Sequence, residues 1–215
     1  MTSFAAMTDS VDRLRSALGT VTAEEAEALR AEEEAAKAKE RLRASGIPAE
    51  FAGAEISACP EAVKAYAREV YRGGIGDLLL SGQVGRGKTH AACAILRAVA
   101  PKRRVKFVSA QEIAEAANDW QRSEWLACVR GVDVLVIDDL GNEMPSPKSI
   151  AAIKAILDKR RNHRPTIVTT QLPRDRRGTL LGERYGTEAA KAMASRLSLP
   201  REVTITGEDR RRHAR

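Results

Sequence analysis

The sequence predicts an α/β fold built on one parallel sheet, and three observations support that prediction. Short apolar segments alternate with helical patterns along most of the chain, which is the order of elements that produces a parallel sheet. A glycine-rich loop follows the first apolar segment, and two adjacent carboxylates end the third. The five predicted strands are Asp77–Ser81, Val105–Ser109, Asp133–Asp138, Thr166–Thr170 and Val203–Thr206.

Helical patterns precede and separate these strands. Pro60 introduces a predicted helix at Glu61–Tyr71, because proline is well accommodated in the first turn of a helix. The glycines that follow, at positions 73, 74 and 76, end it. The later helices are predicted at Thr89–Val99, Gln111–Val129 (in two pieces), Ser146–Asn162 and Glu188–Leu197.

The first 45 residues predict a helical arm. A short first helix over Val11, Leu14 and Leu18 is capped by Asp9 or Ser10. A second helix starts at Thr22 with Glu25 three residues later, which is typical of a capping box. Because this helix has few large apolar residues, it cannot build a core by itself. Residues 1–45 are therefore a solvated spacer or a partner-docking arm, and residues 46–215 form the second predicted domain.

Composition and charge limit which binding partners and which cellular compartment the sequence predicts. Apolar residues make up 43% and charged residues 30% of the chain, as in globular proteins. The formal net charge is +7, with basic clusters at residues 174–177 and 210–215, which favours a nucleic-acid partner. The sequence shows no run that predicts a membrane span and no signal-peptide pattern at its start. Its cysteines (Cys59, Cys93 and Cys128) lack metal-ligand spacing, so we expect a cytoplasmic protein.

Residues 82–89 carry the pattern G-x-x-x-x-G-K-[ST] of a phosphate-binding loop. Its glycines allow the backbone to wrap closely around phosphates, and the helix that follows presents its N-terminus to the same negative charge. We expect Lys88 to reach the β- and γ-phosphates and the Thr89 hydroxyl to coordinate Mg²⁺. The predicted ligands are ATP and Mg²⁺, and the predicted ATP-binding residues are Gly82, Val84, Gly85, Arg86, Gly87, Lys88, Thr89 and His90.

The third predicted strand ends in Asp138 and Asp139, as the Walker B strand of a nucleotide hydrolase does. Asp138 is in position to hold Mg²⁺ through water, together with Thr89. Asp139 is the candidate for orienting the attacking water.

Two further polar residues have two interpretations each. Gln171, at the end of the fourth strand, either touches the γ-phosphate or the attacking water, or is a structural strand-end residue. Arg196, near the end of the last helix, is either a surface ion-pair residue or an arginine finger that acts on a neighbouring subunit.

The stretch from Gly46 to Arg211 resembles the AAA+ ATPases of the DnaC/DnaI helicase-loader group and their relatives, the IstB transposition helpers. The resemblance rests on Gly46-Ile47-Pro48, on Gly85–His90, on Val132–Gly141, on Arg164–Thr170 and on Ser195-Arg196-Leu197. It implies strand order 5-1-4-3-2, Gln171 at the sensor-1 position, where the family usually has Asn, and Arg196 as the finger acting in trans.

The resemblance also concerns the end of the chain and the contacts with DNA. About nine residues follow the fifth predicted strand, too few for the C-terminal helical lid of most AAA+ proteins, and the loader group lacks this lid. Arg211 is a candidate substitute sensor. By position in the loaders, Trp120, Ser146 and Lys148 are the candidate contacts with single-stranded DNA, Trp120 as a stacking platform or, alternatively, as a packing residue. Trp125 is expected in the core.

The implied function is the ATP-dependent loading of a DnaB-type replicative helicase onto single-stranded DNA, with the helical arm binding the helicase and the ATP site joining copies of the chain. An alternative is an IstB-like helper of a transposase that acts on duplex DNA, which shares the ATP chemistry. A second alternative is a small-molecule P-loop kinase, although no acceptor-binding lid segment is evident in the sequence.

Overall fold

The computed structural model describes residues 22–197 and 201–206. The strands are β1 (Leu78–Ser81), β2 (Val105–Ser109), β3 (Val134–Leu140), β4 (Thr166–Thr170) and β5 (Arg201–Thr204). The helices are α1 (Ala23–Arg43), α2 (Glu61–Tyr71), α3 (Lys88–Val99), α4 (Ala110–Asn118), α5 (Ser123–Gly131), α6 (Pro147–Arg160), α7 (Arg177–Tyr185) and α8 (Thr187–Leu197). Short 3₁₀ turns lie at Ala49–Phe51, Ile56–Ala58 and Trp120–Arg122.

The five strands form one sheet in the order β2-β3-β4-β1-β5, and every neighbouring pair is parallel. Traced from the other edge this is 5-1-4-3-2, so the predicted α/β fold and strand order are confirmed. The order places the carboxyl ends of β1, β3 and β4 side by side. Because parallel strands all end at the same edge of the sheet, residues that follow these strands converge there.

Two sequence predictions are wrong in detail. The fifth strand is Arg201–Thr204, two residues earlier than the predicted Val203–Thr206. It pairs only with β1 and lies at the edge of the sheet, where its charged first residues are tolerated although they hide the strand pattern. Helix α7 was not predicted, because Gly178 and Gly182 weaken its helical pattern; burial of Leu181 compensates.

Helices cover both faces of the sheet. Leu78 and Leu80 of β1 face one hydrophobic cluster, which α2 and α3 complete. Leu79 faces the second cluster, which contains residues of α4, α6, α7 and α8. All three leucines are fully buried. Because both faces of β1 are covered, its sequence is a continuous apolar run.

The amino-terminal ends of β3 and β4 are joined by the guanidinium of Arg160, the last residue of α6. Arg160 is 1% exposed, and it donates hydrogen bonds to the hydroxyl of Thr166 and to the carbonyl oxygens of Arg130, Val132, Asp133 and Pro165. Nearby, Asp77 accepts a 2.7 Å hydrogen bond from the Thr166 amide. Burial lowers the pKa of Arg160 to about 10, which leaves it charged at neutral pH.

The chain divides into two compact units, residues 1–37 and residues 38–215. In the first, the predicted capping box is present, because the Glu25 amide donates to the Thr22 hydroxyl and the Thr22 amide donates to the Glu25 carboxylate. In the second, Arg41 donates to the carbonyl oxygens of Ala100 and Pro101. The last turn of α1 thus belongs to the second unit, and a helical arm at residues 1–45 stays a prediction.

Some predictions concern residues that the structure does not describe. The first short helix, with Asp9 or Ser10 as its cap, and Arg211 with the basic tail all lie outside the described residues. Among the described helices, none is long and apolar enough to span a membrane.

Candidate active site

The phosphate-binding loop connects β1 to α3, as predicted. Gly82 has φ +141°, and a Cβ atom there would lie 2.5 Å from the carbonyl oxygen of Ile205, so only glycine fits beside the segment after β5. Gly87, the N-cap of α3, has φ +92°, a left-handed conformation that glycine adopts without strain. The ammonium of Lys88 donates to the carbonyl oxygen of Gln83 at 2.9 Å. The Lys88 side chain therefore folds back onto the loop that carries it.

A cavity of about 420 Å³ opens over this loop. The structure brings most of the predicted nucleotide-site residues to its wall, namely Val84, Gly85, Gly87, Lys88, Thr89, His90, Asp139 and Gln171. Arg86 instead donates to the Gln83 side chain at 3.1 Å, and Gly82 lies against Ile205. Glu50 and Phe51 also line the cavity, and sequence reasoning missed them. Their 3₁₀ turn directly follows Gly46-Ile47-Pro48, which was the signal available in the sequence.

Thr89 and Asp138 lie together at the base of the loop. The Thr89 hydroxyl is 3.2 Å from each carboxylate oxygen of Asp138. Burial raises the pKa of Asp138 to about 6, against the hydrogen bond from Thr169 and with the help of the neighbouring Asp139 charge. A hydroxyl and a carboxylate are the oxygen ligands that Mg²⁺ prefers, beside the phosphates that it bridges. These two residues therefore fit the predicted Mg²⁺ site.

Asp139 has an unusual backbone conformation. Its φ is +53°, and the pairing of β3 with β4 shifts register between Ile137 and Leu140, around the two carboxylates. The backbone amide of Asp139 donates to the Thr169 hydroxyl at 2.9 Å. The side-chain amide nitrogen of Gln171 lies 3.5 Å from an Asp139 carboxylate oxygen. The kink turns Asp139 toward the cavity next to Gln171.

Arg196 lies on α8 and is not among the described residues that line the cavity. Its guanidinium forms a two-pronged ion pair with Asp158 of α6 and donates to the Ala192 carbonyl at 2.6 Å. Within one chain, Arg196 is an ion-pair residue. A role as a finger acting on a neighbouring copy stays a prediction.

The candidate DNA contacts lie in two places, the 3₁₀ turn after α4 and the start of α6. Trp120 is 83% exposed in the 3₁₀ turn after α4, so it is not the partly buried packing residue of the alternative. The Ser146 hydroxyl caps α6 by accepting from the Ser149 amide at 3.0 Å, while Lys148 is exposed. Met144, which sequence reasoning missed, is 73% exposed on the same loop as Ser146.

Trp125 is half-buried and packs against the second hydrophobic cluster, with the Arg122 guanidinium 4.7 Å from its ring centre. It is therefore a packing residue at the margin of the core, close to what the sequence predicted. Of the cysteines, Cys59 and Cys93 are buried and Cys128 is exposed.

Comparison with known protein families gives a match along most of the chain. Residues 20–215 match the family described as IstB-like ATP binding protein. A curated relative, the replicative helicase loader DnaC of Escherichia coli strain K12, is 32% identical over 124 residues. That alignment covers 54% of this chain, and the chain spans about half (51%) of the length of the relative.

Solved structures with the same fold include those of DnaI and DnaA. The DnaI structure has a TM-score of 0.62 and 24% identity, and the match covers 77% of this chain and 95% of that one. The AMPPCP-bound DnaA of Aquifex aeolicus has a TM-score of 0.59 and 18% identity, and the match covers 78% of this chain and 54% of that one. At these identities the likeness shows the fold.

Proposed function

Because the chain belongs to the family of IstB-like ATP-binding proteins, a family of AAA+ ATPases, we propose that it is an ATP-dependent helicase loader. In this proposal it binds a DnaB-type replicative helicase and places it on single-stranded DNA. The observation that carries the ATP chemistry is the pairing of Thr89 with Asp138 beneath a loop that holds Lys88. The similarity to DnaC supports the loader role.

The site residues have separate roles in ATP hydrolysis. Lys88 exchanges the Gln83 carbonyl for the β- and γ-phosphates. Thr89 and Asp138 hold Mg²⁺, which when bound neutralises the charge that develops on the transferred phosphoryl group. Asp139 orients the attacking water and accepts its proton. Gln171, beside Asp139 in the cavity wall, holds the water or the γ-phosphate in line.

The site of one copy is completed by Arg196 of a neighbouring copy. A guanidinium that reaches the γ-phosphate stabilises transition-state charge and raises kcat by orders of magnitude. For this, Arg196 must exchange Asp158 for the phosphate. The ion pair with Asp158 is partly exposed, with the Arg196 side chain 21% and the Asp158 side chain 39% exposed, and ion pairs in contact with solvent are weak. The exchange is therefore feasible. Because Arg196 of one copy then contacts the ATP of another, ATP binding promotes assembly.

Single-stranded DNA contacts the 3₁₀ turn that carries Trp120 and the first turn of α6, which carries Lys148. An indole that is 83% exposed offers a stacking surface to an unpaired base, which contributes about 1–3 kcal/mol, and Lys148 neutralises a phosphate. The helicase contacts α1, whose Leu29 is 56% exposed. The expected location is the cytoplasm.

A second candidate is a helper of a transposase that acts on duplex DNA, and the family match itself favours it. The ATP site serves both functions equally. The family membership gives no support to the small-molecule kinase alternative. What separates loader from helper is the partner, so the test must measure partners directly.

The test is co-purification of the full-length chain with a purified replicative helicase, with and without ATP. The loader proposal predicts ATP-sensitive capture that is lost in Leu29→Glu and kept in Lys37→Ala on the same helix. It also predicts that Trp120→Ala weakens binding to single-stranded DNA about tenfold or more. Failure to capture the helicase, together with ATP-dependent binding of duplex DNA, would contradict the loader proposal and support the transposase-helper alternative.

A further inference from the structure

The hydroxyl of Thr169 lies between the two carboxylate residues of the candidate active site. It donates to an Asp138 carboxylate oxygen at 2.6 Å and accepts from the Asp139 amide at 2.9 Å. Thr169 is fully buried in β4. The hydroxyl has one proton, and that proton points at Asp138, because its lone pairs face the Asp139 amide. The hydroxyl oxygen of Thr169 thus holds both the side chain of Asp138 and the backbone of Asp139.

The strand pairing explains why a side chain is needed there. In a regular parallel ladder, backbone carbonyls of β4 would accept from the amides of β3. The register shift between Ile137 and Leu140 interrupts that ladder, and at Asp139 the φ of +53° departs from the extended conformation of the strand. The Thr169 hydroxyl supplies the acceptor that the interrupted ladder lacks.

We propose that Thr169 is a positioning residue for ATP hydrolysis. It aims the Asp138 carboxylate at the Mg²⁺ position and holds Asp139 in the left-handed conformation that presents it to the attacking water. This inference rests on the roles proposed above for Asp138 and Asp139. It adds a residue outside the phosphate-binding loop and outside the β3 carboxylates, one that never touches nucleotide itself.

The neighbouring Thr170 provides a matched control. It is also fully buried in β4. Its hydroxyl donates to the Leu140 carbonyl at 2.8 Å and accepts from the Leu172 amide at 3.1 Å. It therefore joins the same two strands without contacting either carboxylate. Loss of its hydroxyl reports what a buried strand-end threonine contributes to folding alone.

The experiment compares Thr169→Val, Thr169→Ser and Thr170→Val in the full-length chain. Three quantities are measured: kcat for ATP hydrolysis, the Mg²⁺ concentration for half-maximal activity, and the affinity for a fluorescent ATP analogue in EDTA. For Thr169→Val we expect kcat to fall about tenfold or more, since small misplacements of reacting groups are costly. Its Mg²⁺ requirement rises, while its nucleotide affinity in EDTA stays as in the wild type.

The conservative variant and the control sharpen this result. Thr169→Ser keeps the hydroxyl and should retain kcat within about threefold, as should Thr170→Val. Thermal unfolding establishes that all variants are folded. If Thr169→Val does not fold, Thr169→Cys takes its place, because a thiol is a weak hydrogen-bond partner.

Two results would overturn the inference: a folded Thr169→Val with wild-type kcat and Mg²⁺ dependence, or equal losses of kcat in Thr169→Val and Thr170→Val. Asp139→Asn is measured alongside. If Asp139→Asn keeps the wild-type rate, the proposed function of Asp139 fails and the Thr169 inference fails with it. An inactive Asp139→Asn beside a fully active Thr169→Val removes only the Thr169 inference.

Discussion

The two ends of the parallel sheet hold buried charge in different ways. At the amino-terminal end, the Arg160 guanidinium has five oxygen acceptors, four of them backbone carbonyls. At the carboxyl end, Asp138 is 8% exposed, and the hydroxyls of Thr89 and Thr169 are its hydrogen-bond donors. Lys88, which directly precedes Thr89, donates to the carbonyl oxygen of Gln83 in the phosphate-binding loop.

We call the amino-terminal end of the sheet, with Arg160, the structural end. We call the carboxyl end, with Asp138 and the phosphate-binding loop, the working end. Backbone carbonyls are permanent partners, so the Arg160 cluster contributes to stability and has no group to offer a ligand. The Thr89 contact with Asp138 and the Gln83 carbonyl contact with Lys88 are ones that Mg²⁺ and phosphate can replace, while the Thr169 hydroxyl stays on Asp138. The working end therefore carries charge that is poorly compensated until ATP binds, which is how active sites commonly trade stability for function.

The largest expected effect lies at the working end. Asp139→Asn should lower kcat by about a hundredfold to a thousandfold, because it removes the carboxylate that accepts a proton from water. Asparagine tolerates the left-handed conformation of Asp139, so the fold and nucleotide affinity should be unchanged. Phosphate release at saturating ATP measures the effect, with the exposed Asp175→Asn as control. A rate within about twofold of wild type would exclude the catalytic role of Asp139.

The opposite pattern is expected at the structural end. Arg160→Met should lower the free energy of unfolding by at least about 3 kcal/mol, since it removes a donor from four buried carbonyl oxygens and each one left unpaired costs about 1–3 kcal/mol. Urea denaturation measures this loss, and Arg161→Met, at an exposed neighbouring position, is the matched control. The folded fraction should hydrolyse ATP at the wild-type rate. If Arg160→Met were as stable as Arg161→Met, the carbonyl cluster would not be structural.

A smaller effect should appear in the dependence of stability on pH. Because burial raises the pKa of Asp138 to about 6, above an ordinary value near 4, the folded state binds a proton more tightly than the unfolded state. Stability contributed at this position is therefore present at pH 4 and lost as the pH rises through 6. In EDTA without nucleotide, Asp138→Asn should be about 2 kcal/mol more stable than wild type at pH 7.

That stability difference should shrink as the pH is lowered toward 4, and Mg²⁺ with ATP should abolish it by stabilising only the wild type. Denaturation of both proteins at several pH values measures it. A pH-independent difference would show that the ionisation of Asp138 is not its source.

Much of the sheet followed from the sequence because buried parallel strands have a strong signature. The apolar runs at Leu78–Leu80 and Val134–Ile137 are buried throughout. Edge strand β5 was displaced by two residues, since its first residues are Arg201 and Glu202. At an edge, burial no longer dictates which residues are apolar.

The candidate site was predictable where it follows a local motif and hidden where it depends on packing. Lys88, Thr89 and Asp138 converge as their motifs predict. Phe51 reaches the cavity from a turn with no motif of its own. The role of Thr169 depends on a register shift between two strands, which no pattern within either strand reveals.

The central claim is that the working end of one copy is completed by Arg196 of another, and a mixing experiment tests it most directly. Lys88→Ala cannot bind ATP, and Arg196→Ala binds ATP without the finger, so each alone should be nearly inactive. Mixed in equal amounts, they should regain ATPase activity, because Arg196 of the Lys88→Ala copy reaches ATP on the Arg196→Ala copy. An Arg196→Ala protein that is fully active alone, or a mixture that stays inactive, would contradict the claim.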